Sequence, residues 1–258
     1  MSDIIDLAPE TEEFRDALLR GLSQEPKFVP CKFLYDERGS ELFEQICELD
    51  EYYPTRTELA IMREHVDEMA DRIGPEALIV ELGAGSGKKT HLLLEALESP
   101  SAYLPIEISK AALRYCAETI GEAFPDLAIH PICADYTEPI DVPALSDPDE
   151  RTVAYFPGST IGNFEPGDAA GFLSRIANMC GKGGGLLMGV DLYKSRGIIE
   201  PAYNDSEGVT AAFSKNLLRR ANCEADADFD LDTFEHRALF DEDEGRIEIS
   251  QVSQIPQT

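Results

Sequence analysis

The 258-residue sequence predicts an α/β fold in which helices cover both faces of a parallel sheet. Three observations predict it. From Ala77 onward, apolar β-rich runs alternate with helix-like segments over short connections, the pattern of a doubly wound sheet. The run Leu78-Ile79-Val80-Glu81-Leu82 leads straight into the turn Gly83-Ala84-Gly85-Ser86-Gly87 and then a helix-like segment, a junction that presents backbone N–H groups to a nucleotide-type ligand. After Tyr193 the alternation stops, and a helix followed by antiparallel strands is expected instead. The expected organisation is a main domain at residues 57–192 and a smaller α+β lobe built from residues 1–56 and 193–258.

The elements follow in order. Phe14, Leu18 and Leu22 share one face of an amphipathic helix from Thr11 to Leu22. A Pro-punctuated loop runs from Gln24 to Pro30, and a short helix is expected around Glu41 to Cys47. Thr55 and Glu58 have the spacing of a capping box, which would start a long helix carrying Leu59, Met62, Val66, Met69 and Ile73 on one side. Gly74-Pro75 stops it. Strands are expected at Ala77–Leu82, Ala102–Ile108, Leu127–Cys133, Thr152–Phe156 and Gly185–Leu192. Helices between them are expected at Thr90–Leu97, Lys110–Ile120 and Gly167–Met179. A helix at Thr210–Ala221 and strands at Phe229–Phe240 and Arg246–Val252, joined by the acidic turn Asp241–Gly245, complete the chain.

Composition narrows the function classes. A formal charge of −28 repels nucleic acid and anionic membranes, and is compatible with a cationic ligand such as a sulfonium. No apolar run reaches the ~18 residues of a membrane span. The acidic segment Met1 to Glu12 lacks the basic and apolar regions of a signal peptide, so a cytoplasmic setting is expected. Cys31, Cys47, Cys116, Cys133, Cys180 and Cys223 are scattered singly, and the four histidines show no ligand spacing, so no metal site is expected.

The glycine turn discriminates between ligands. A P-loop needs Gly, four residues, then Gly-Lys-Ser/Thr, but Leu82 stands where its first glycine should be and Lys89 follows Gly87-Lys88. The dinucleotide fingerprint fits Gly83 and Gly85 but has Lys88 at its third position. Acid-x-Gly-x-Gly-x-Gly, led by Glu81, is the pattern of S-adenosylmethionine-dependent methyltransferases. Ligands of open α/β sheets sit at the carboxyl ends of the strands. Glu107, about 20 residues past the glycines, can accept both ribose hydroxyls. Asp135 can accept from the adenine amino group, with Tyr136 against the ring. The turn Gly158-Ser159-Thr160-Ile161-Gly162-Asn163 would border the transferred methyl.

Five blocks then carry a resemblance: Tyr35-Asp36-Glu37-Arg38-Gly39-Ser40, Glu51-Tyr52-Tyr53-Pro54-Thr55-Arg56, Glu81-Leu82-Gly83, Gly158 to Asn163, and Ala202-Tyr203-Asn204 with Val209 to Phe213. From about Leu22 to its end the chain closely resembles the L-histidine Nα-methyltransferases of ergothioneine biosynthesis. That resemblance implies a Rossmann-like class I methyltransferase domain with a smaller substrate-binding lobe. It implies transfer of three methyl groups, one at a time, from S-adenosylmethionine to the α-amine of histidine, giving hercynine. By motif, the cofactor would be held by Tyr35, Gly83, Lys89, Glu107, Asp135 and Tyr136. Histidine would be held by Tyr52, Asn163 and Tyr203, with Phe43 walling the imidazole. Tyr35, Asn163 and Gly158 would border the reacting amine.

The chain departs from the family in Glu107, where Asp is commoner, in Gly87-Lys88, and beyond Thr258, where the family's Glu and Ser contacts to the imidazole would come; the lobe is therefore expected to be incomplete at that end. A monomer is expected, with a partner chain as the alternative. Two other readings fit the residues: an N-methyltransferase of another small amino acid or amine, and a non-catalytic cofactor-binding subunit completed by a partner.

Overall fold

A computed structural model describes residues 3–7, 14–85, 87–140 and 151–256. Ser86 of the glycine turn, the expected helical start at 11–13 and Thr258 lie outside the described residues. The chain forms two compact units, Met1–Glu10 with Thr57–Asp191 and Thr11–Arg56 with Leu192–Thr258.

The first unit holds a sheet with strands β1 (Ile5–Asp6), β2 (Leu78–Leu82), β3 (Ala102–Glu107), β4 (Ala128–Ile129), β5 (Ile132–Cys133), β6 (Thr152–Phe156) and β7 (Gly185–Met188). Their order is β1-β5-β3-β2-β6-β7, with β4 also on β3, and every pairing is parallel. β2 is buried at all five residues because helices cover both of its faces. On one face Ile79, Tyr103, Val153 and Tyr155 pack with Met62 of the long helix α3 (Tyr53–Ile73), Leu93 of α4 (Lys88–Ala96) and Ile120 of α5 (Lys110–Ala123). On the other face Val80, Leu104, Ile106 and Phe156 pack against Phe172 and Ile176 of α6 (Pro166–Cys180). The chain leaves β2 toward β3 on one side and returns to β6 on the other, so the strand order reverses at β2. A ligand crevice is expected at the carboxyl ends of β2 and β6.

Several expected boundaries shift for local reasons. The strand Leu127–Cys133 divides into β4 and β5 because Pro131 has no N–H for the ladder. β1 pairs with β5, so Ile5–Asp6 belongs to the sheet and not to the lobe to which residues 1–56 were assigned by sequence. The helix α3 starts at Tyr53, with Pro54 in the first turn where a missing N–H costs nothing. Thr55 is therefore inside the helix, and the capping box with Glu58 does not form. The same helix ends on Gly74, whose N–H reaches Ala70 O at 2.8 Å with φ +81°.

The second unit contains α1 (Phe14–Leu22), α2 (Glu37–Glu48), α7 (Arg196–Tyr203), α8 (Val209–Glu224) and the antiparallel hairpin β8 (Phe234–Asp241) and β9 (Arg246–Ser253). Helix α2 begins four residues before the expected Glu41 because Asp36 caps it, its carboxylate accepting from Gly39 N at 2.7 Å. Helix α7 was not expected, since Pro201 lies inside it. β8 starts at Phe234 and not Phe229 because a 3-10 turn at Leu231–Thr233, capped by Asp230, precedes it. Asp205 prepares α8: it accepts from Val209 N and Thr210 N, both at 2.8 Å. Burial opposes its charge, but the bonds from Thr210 and Val209 outweigh burial and hold its carboxyl below the usual range.

Candidate active site

At the carboxyl edge of the sheet, register brings the expected acids to neighbouring strand ends. Gly83 N donates to Ile106 O at 2.9 Å and Ala134 N to Glu107 O at 3.2 Å. Gly83, Glu107 and Asp135 therefore follow one another across β2, β3 and β5. Gly83, Gly85 and Gly87 all have positive φ, a backbone that side chains rarely adopt. A Cβ at Gly83 would touch the Tyr136 ring at 3.4 Å, so the ring lies against the turn. Glu107 is drawn into the same turn: its carboxylate accepts from Ser109 N at 3.1 Å and from the Ile108 and Gly85 amides. Burial still outweighs those bonds and raises its pKa. Asp135 Oδ1 accepts from Thr137 N and Oγ1, at 2.9 and 2.6 Å.

A glycine cradle, an acid at each of the two next strand ends and an aromatic ring against the turn fit a flat cationic nucleoside. Glu107 and Asp135 would hold its ribose and base, and no metal is needed to complete that donor set. Among the described residues no group of three or more His, Cys, Asp or Glu could hold one.

Glu81, the acid that leads the glycine motif, points beneath this edge. It is 1% exposed and accepts from Thr90 Oγ1 on both oxygens at 2.7 Å and from the Tyr103 hydroxyl. Burial, partly offset by Tyr103 and Thr90, pushes its pKa up to about 7. Its work is to anchor the start of α4 and β3 to the strand before the turn.

Across the crevice, β6 ends in Phe156-Pro157-Gly158. Gly158 has φ +84° and Ser159 φ +58°. Ser159 Oγ accepts from Asp191 N at 2.9 Å, and Thr160 Oγ1 donates to Pro157 O at 3.1 Å. A 3-10 turn at Thr160–Asn163 follows and leaves Asn163 exposed. Lys89, expected on the cofactor, has its ammonium 2.5 Å from Glu58 Oε2. Glu58 also accepts from Gly158 N. Sequence spacing assigned Glu58 to a helix cap, and nothing in the letters links it to residues 31 and 100 positions away.

In the second unit, Tyr35, Phe43, Tyr52 and Tyr203 meet in one aromatic cluster with Phe213 of α8. Tyr35 stands edge-on to Phe43 and to Phe213, each at 5.5 Å, and Tyr52 edge-on to Tyr203 at 5.8 Å. Burial first, then Tyr203, raises the Tyr52 pKa, so its hydroxyl stays a neutral donor. The block around Tyr35 is explained by packing: a Cβ at Gly39 would lie 1.7 Å from Leu34 O. Asp36 additionally takes Asn216 Nδ2 at 2.7 Å and pairs with Arg220. The carbonyl of Tyr203 receives His236 Nε2 at 2.8 Å, while His236 Nδ1 meets Ser214 Oγ at 2.8 Å and Gln251 Nε2 donates to Ser214 at 2.6 Å.

Comparison with known proteins shows the family. Residues 14–258 match the family described as histidine-specific, SAM-dependent methyltransferase. A histidine N-alpha-methyltransferase of Mycolicibacterium smegmatis is 42% identical over 242 residues, covering 92% of this chain and 74% of that protein. The corresponding protein of Mycobacterium tuberculosis is 40% identical over 233 residues, 89% and 71% of the two chains. Ergothioneine biosynthesis protein 1 of Neurospora crassa is 35% identical over 201 residues, 76% of this chain and 23% of that one. With a matching family over nearly its whole length and relatives at this identity, the chain belongs to the histidine-specific, S-adenosylmethionine-dependent methyltransferases.

Proposed function

We propose that this chain methylates the α-amine of L-histidine three times in succession, forming hercynine as a step of ergothioneine biosynthesis. The observation that carries the reading is the glycine turn flanked by Glu107 and Asp135 at adjacent strand ends, in a chain that belongs to this family. S-adenosylmethionine supplies an electrophilic methyl on a sulfonium. Glu107 binds the ribose hydroxyls, Asp135 the adenine amino group, and Tyr136 covers the base, with Gly83, Lys89 and Tyr35 completing the hold.

Tyr52, Tyr203 and Asn163 bind histidine by neutral hydrogen bonds, and Phe43 walls the imidazole. Asn163 and Tyr203 can donate to the substrate carboxylate without adding charge. Positioning carries the catalysis, because in-line displacement needs alignment more than acid or base strength. The amine must shed a proton before each attack, and the polar turn at Gly158–Asn163, open to water, offers a route for it. The polypeptide acts as a monomer in this reading, which light scattering of the purified chain checks.

Incubation with histidine and methyl-labelled S-adenosylmethionine tests the function. Mono-, di- and trimethylhistidine are expected in sequence by mass spectrometry. Bound cofactor with no methylated histidine would reject the substrate. A panel of other amino acids competing as well as histidine would transfer the reading to another amine.

A further inference from the structure

We propose that Glu58 is a positioning residue for methyl transfer, its one carboxylate tying the turn after β6 to the first turn of α4. The activity part of this inference rests on the N-methyltransferase reading above. Glu58 Oε2 lies 2.5 Å from Lys89 Nζ, and the two carboxylate oxygens lie 2.9 and 3.0 Å from Gly158 N. The side chains of Glu58 and Lys89 are 18% and 20% exposed, so solvent screens the pair only weakly.

Two glycines make room for it. A Cβ at Gly189 would fall 1.9 Å from Glu58 Oε1, and one at Gly158 would fall 3.4 Å from Lys89 Nζ. The carboxylate thus occupies a slot framed by the ends of β6 and β7 and the start of α4.

Electrostatics explains why a charge stands there. Lys88 and Lys89 open α4, at the positive end of its dipole, where cations are unfavourable. Glu58 offsets that cation. With its other hydrogen bond it holds the amide of Gly158, in a turn whose backbone sits at positive φ for two successive residues. The two walls of the crevice, one carrying the glycine turn and one the Gly158 turn, are thereby fixed to a single side chain from α3. Methyl transfer is sensitive to such placement, since a shift of about 1 Å costs up to about 100-fold in rate.

Two variants separate the two bonds. Glu58→Gln keeps an oxygen for Gly158 N and loses the ionic partner of Lys89, whereas Glu58→Ala loses both. We expect kcat to fall about tenfold in Glu58→Gln and about 100-fold in Glu58→Ala, with KM for histidine within about threefold of the parent. Adding Lys89→Met to Glu58→Ala should leave the Gly158 amide exchange of Glu58→Ala unchanged within about twofold, because the tie is already cut. Independently of turnover, hydrogen exchange at the Gly158 amide should quicken in Glu58→Ala and stay near the parent in Glu58→Gln, while β2 and β3 amides are unchanged. Parental kcat and parental Gly158 exchange in Glu58→Ala would overturn the proposal. Loss of protection across the whole sheet would overturn it too, by making Glu58 a folding residue. If the parent chain does not methylate histidine, the function reading falls while Gly158 exchange still decides whether the tie exists.

Discussion

The two units place their candidate site residues by different physics. In the sheet unit the candidate groups are set by backbone: parallel register carries Glu107 and Asp135 to adjacent strand ends, and the positive-φ glycine turn gives the Gly85 amide to Glu107. In the other unit they are set by side-chain packing: Tyr35, Phe43, Tyr52 and Tyr203 are oriented by edge-on ring contacts and by Phe213. A backbone-built site tolerates change in its core side chains but not in its turns. A packing-built site depends on each ring and on the close approaches that seat it.

That contrast can be broken at both ends. The largest effect is expected at Gly39, where Gly39→Ala drives a Cβ into the Leu34 carbonyl at 1.7 Å. A loss of about 3 kcal/mol or more in denaturant unfolding is expected, with the ring cluster disordered. Wild-type stability in that variant would mean the Tyr35 segment is not held by this contact. Next comes Glu81, whose carboxyl rises from 4.5 to about 7 on folding. Its stabilising contribution is complete below pH 4.5 and disappears as pH rises through about 7, a change of about 3 kcal/mol. Glu81→Gln should flatten that part of the stability–pH curve, and superimposable curves for the two proteins would show that Glu81 ionises normally.

Ligand affinity sharpens the comparison. Glu107→Ala and Asp135→Ala should each weaken cofactor binding by about 1–3 kcal/mol in titration calorimetry, with histidine affinity kept. Equal loss of both ligands would mean that the strand ends do not act on the cofactor alone. The smallest effect is expected for Tyr52→Phe, about 1 kcal/mol in histidine binding with cofactor binding intact, since only a neutral hydroxyl is removed. No change in that titration would assign Tyr52 to packing.

How much of this was legible in the letters differs between the units for the same reason. The run Leu78 to Leu82 and the run Thr152 to Phe156 are apolar enough on both faces to announce strands, and Glu107 and Asp135 are found at the ends of the two strands expected between them. β1 is two residues long and α7 contains Pro201, so neither leaves a periodic signal. The aromatic cluster has no period at all: Tyr35, Tyr52 and Tyr203 were reached through family resemblance and are joined only by tertiary packing. Glu58 misleads because its spacing from Thr55 satisfies a local rule, while its partners, Lys89 and Gly158, are distant in sequence.

The carbonyl of Tyr203 can only accept, so the hydrogen between it and His236 must belong to the imidazole. The opposite ring nitrogen meets Ser214 Oγ at 2.8 Å and Gln251 Nε2 at 3.4 Å, and Gln251 also donates to the serine oxygen at 2.6 Å. Three side chains from α8, β8 and β9 are thus wired to one main-chain carbonyl, so truncating any of them is felt at the backbone of Tyr203, a ring of the aromatic cluster.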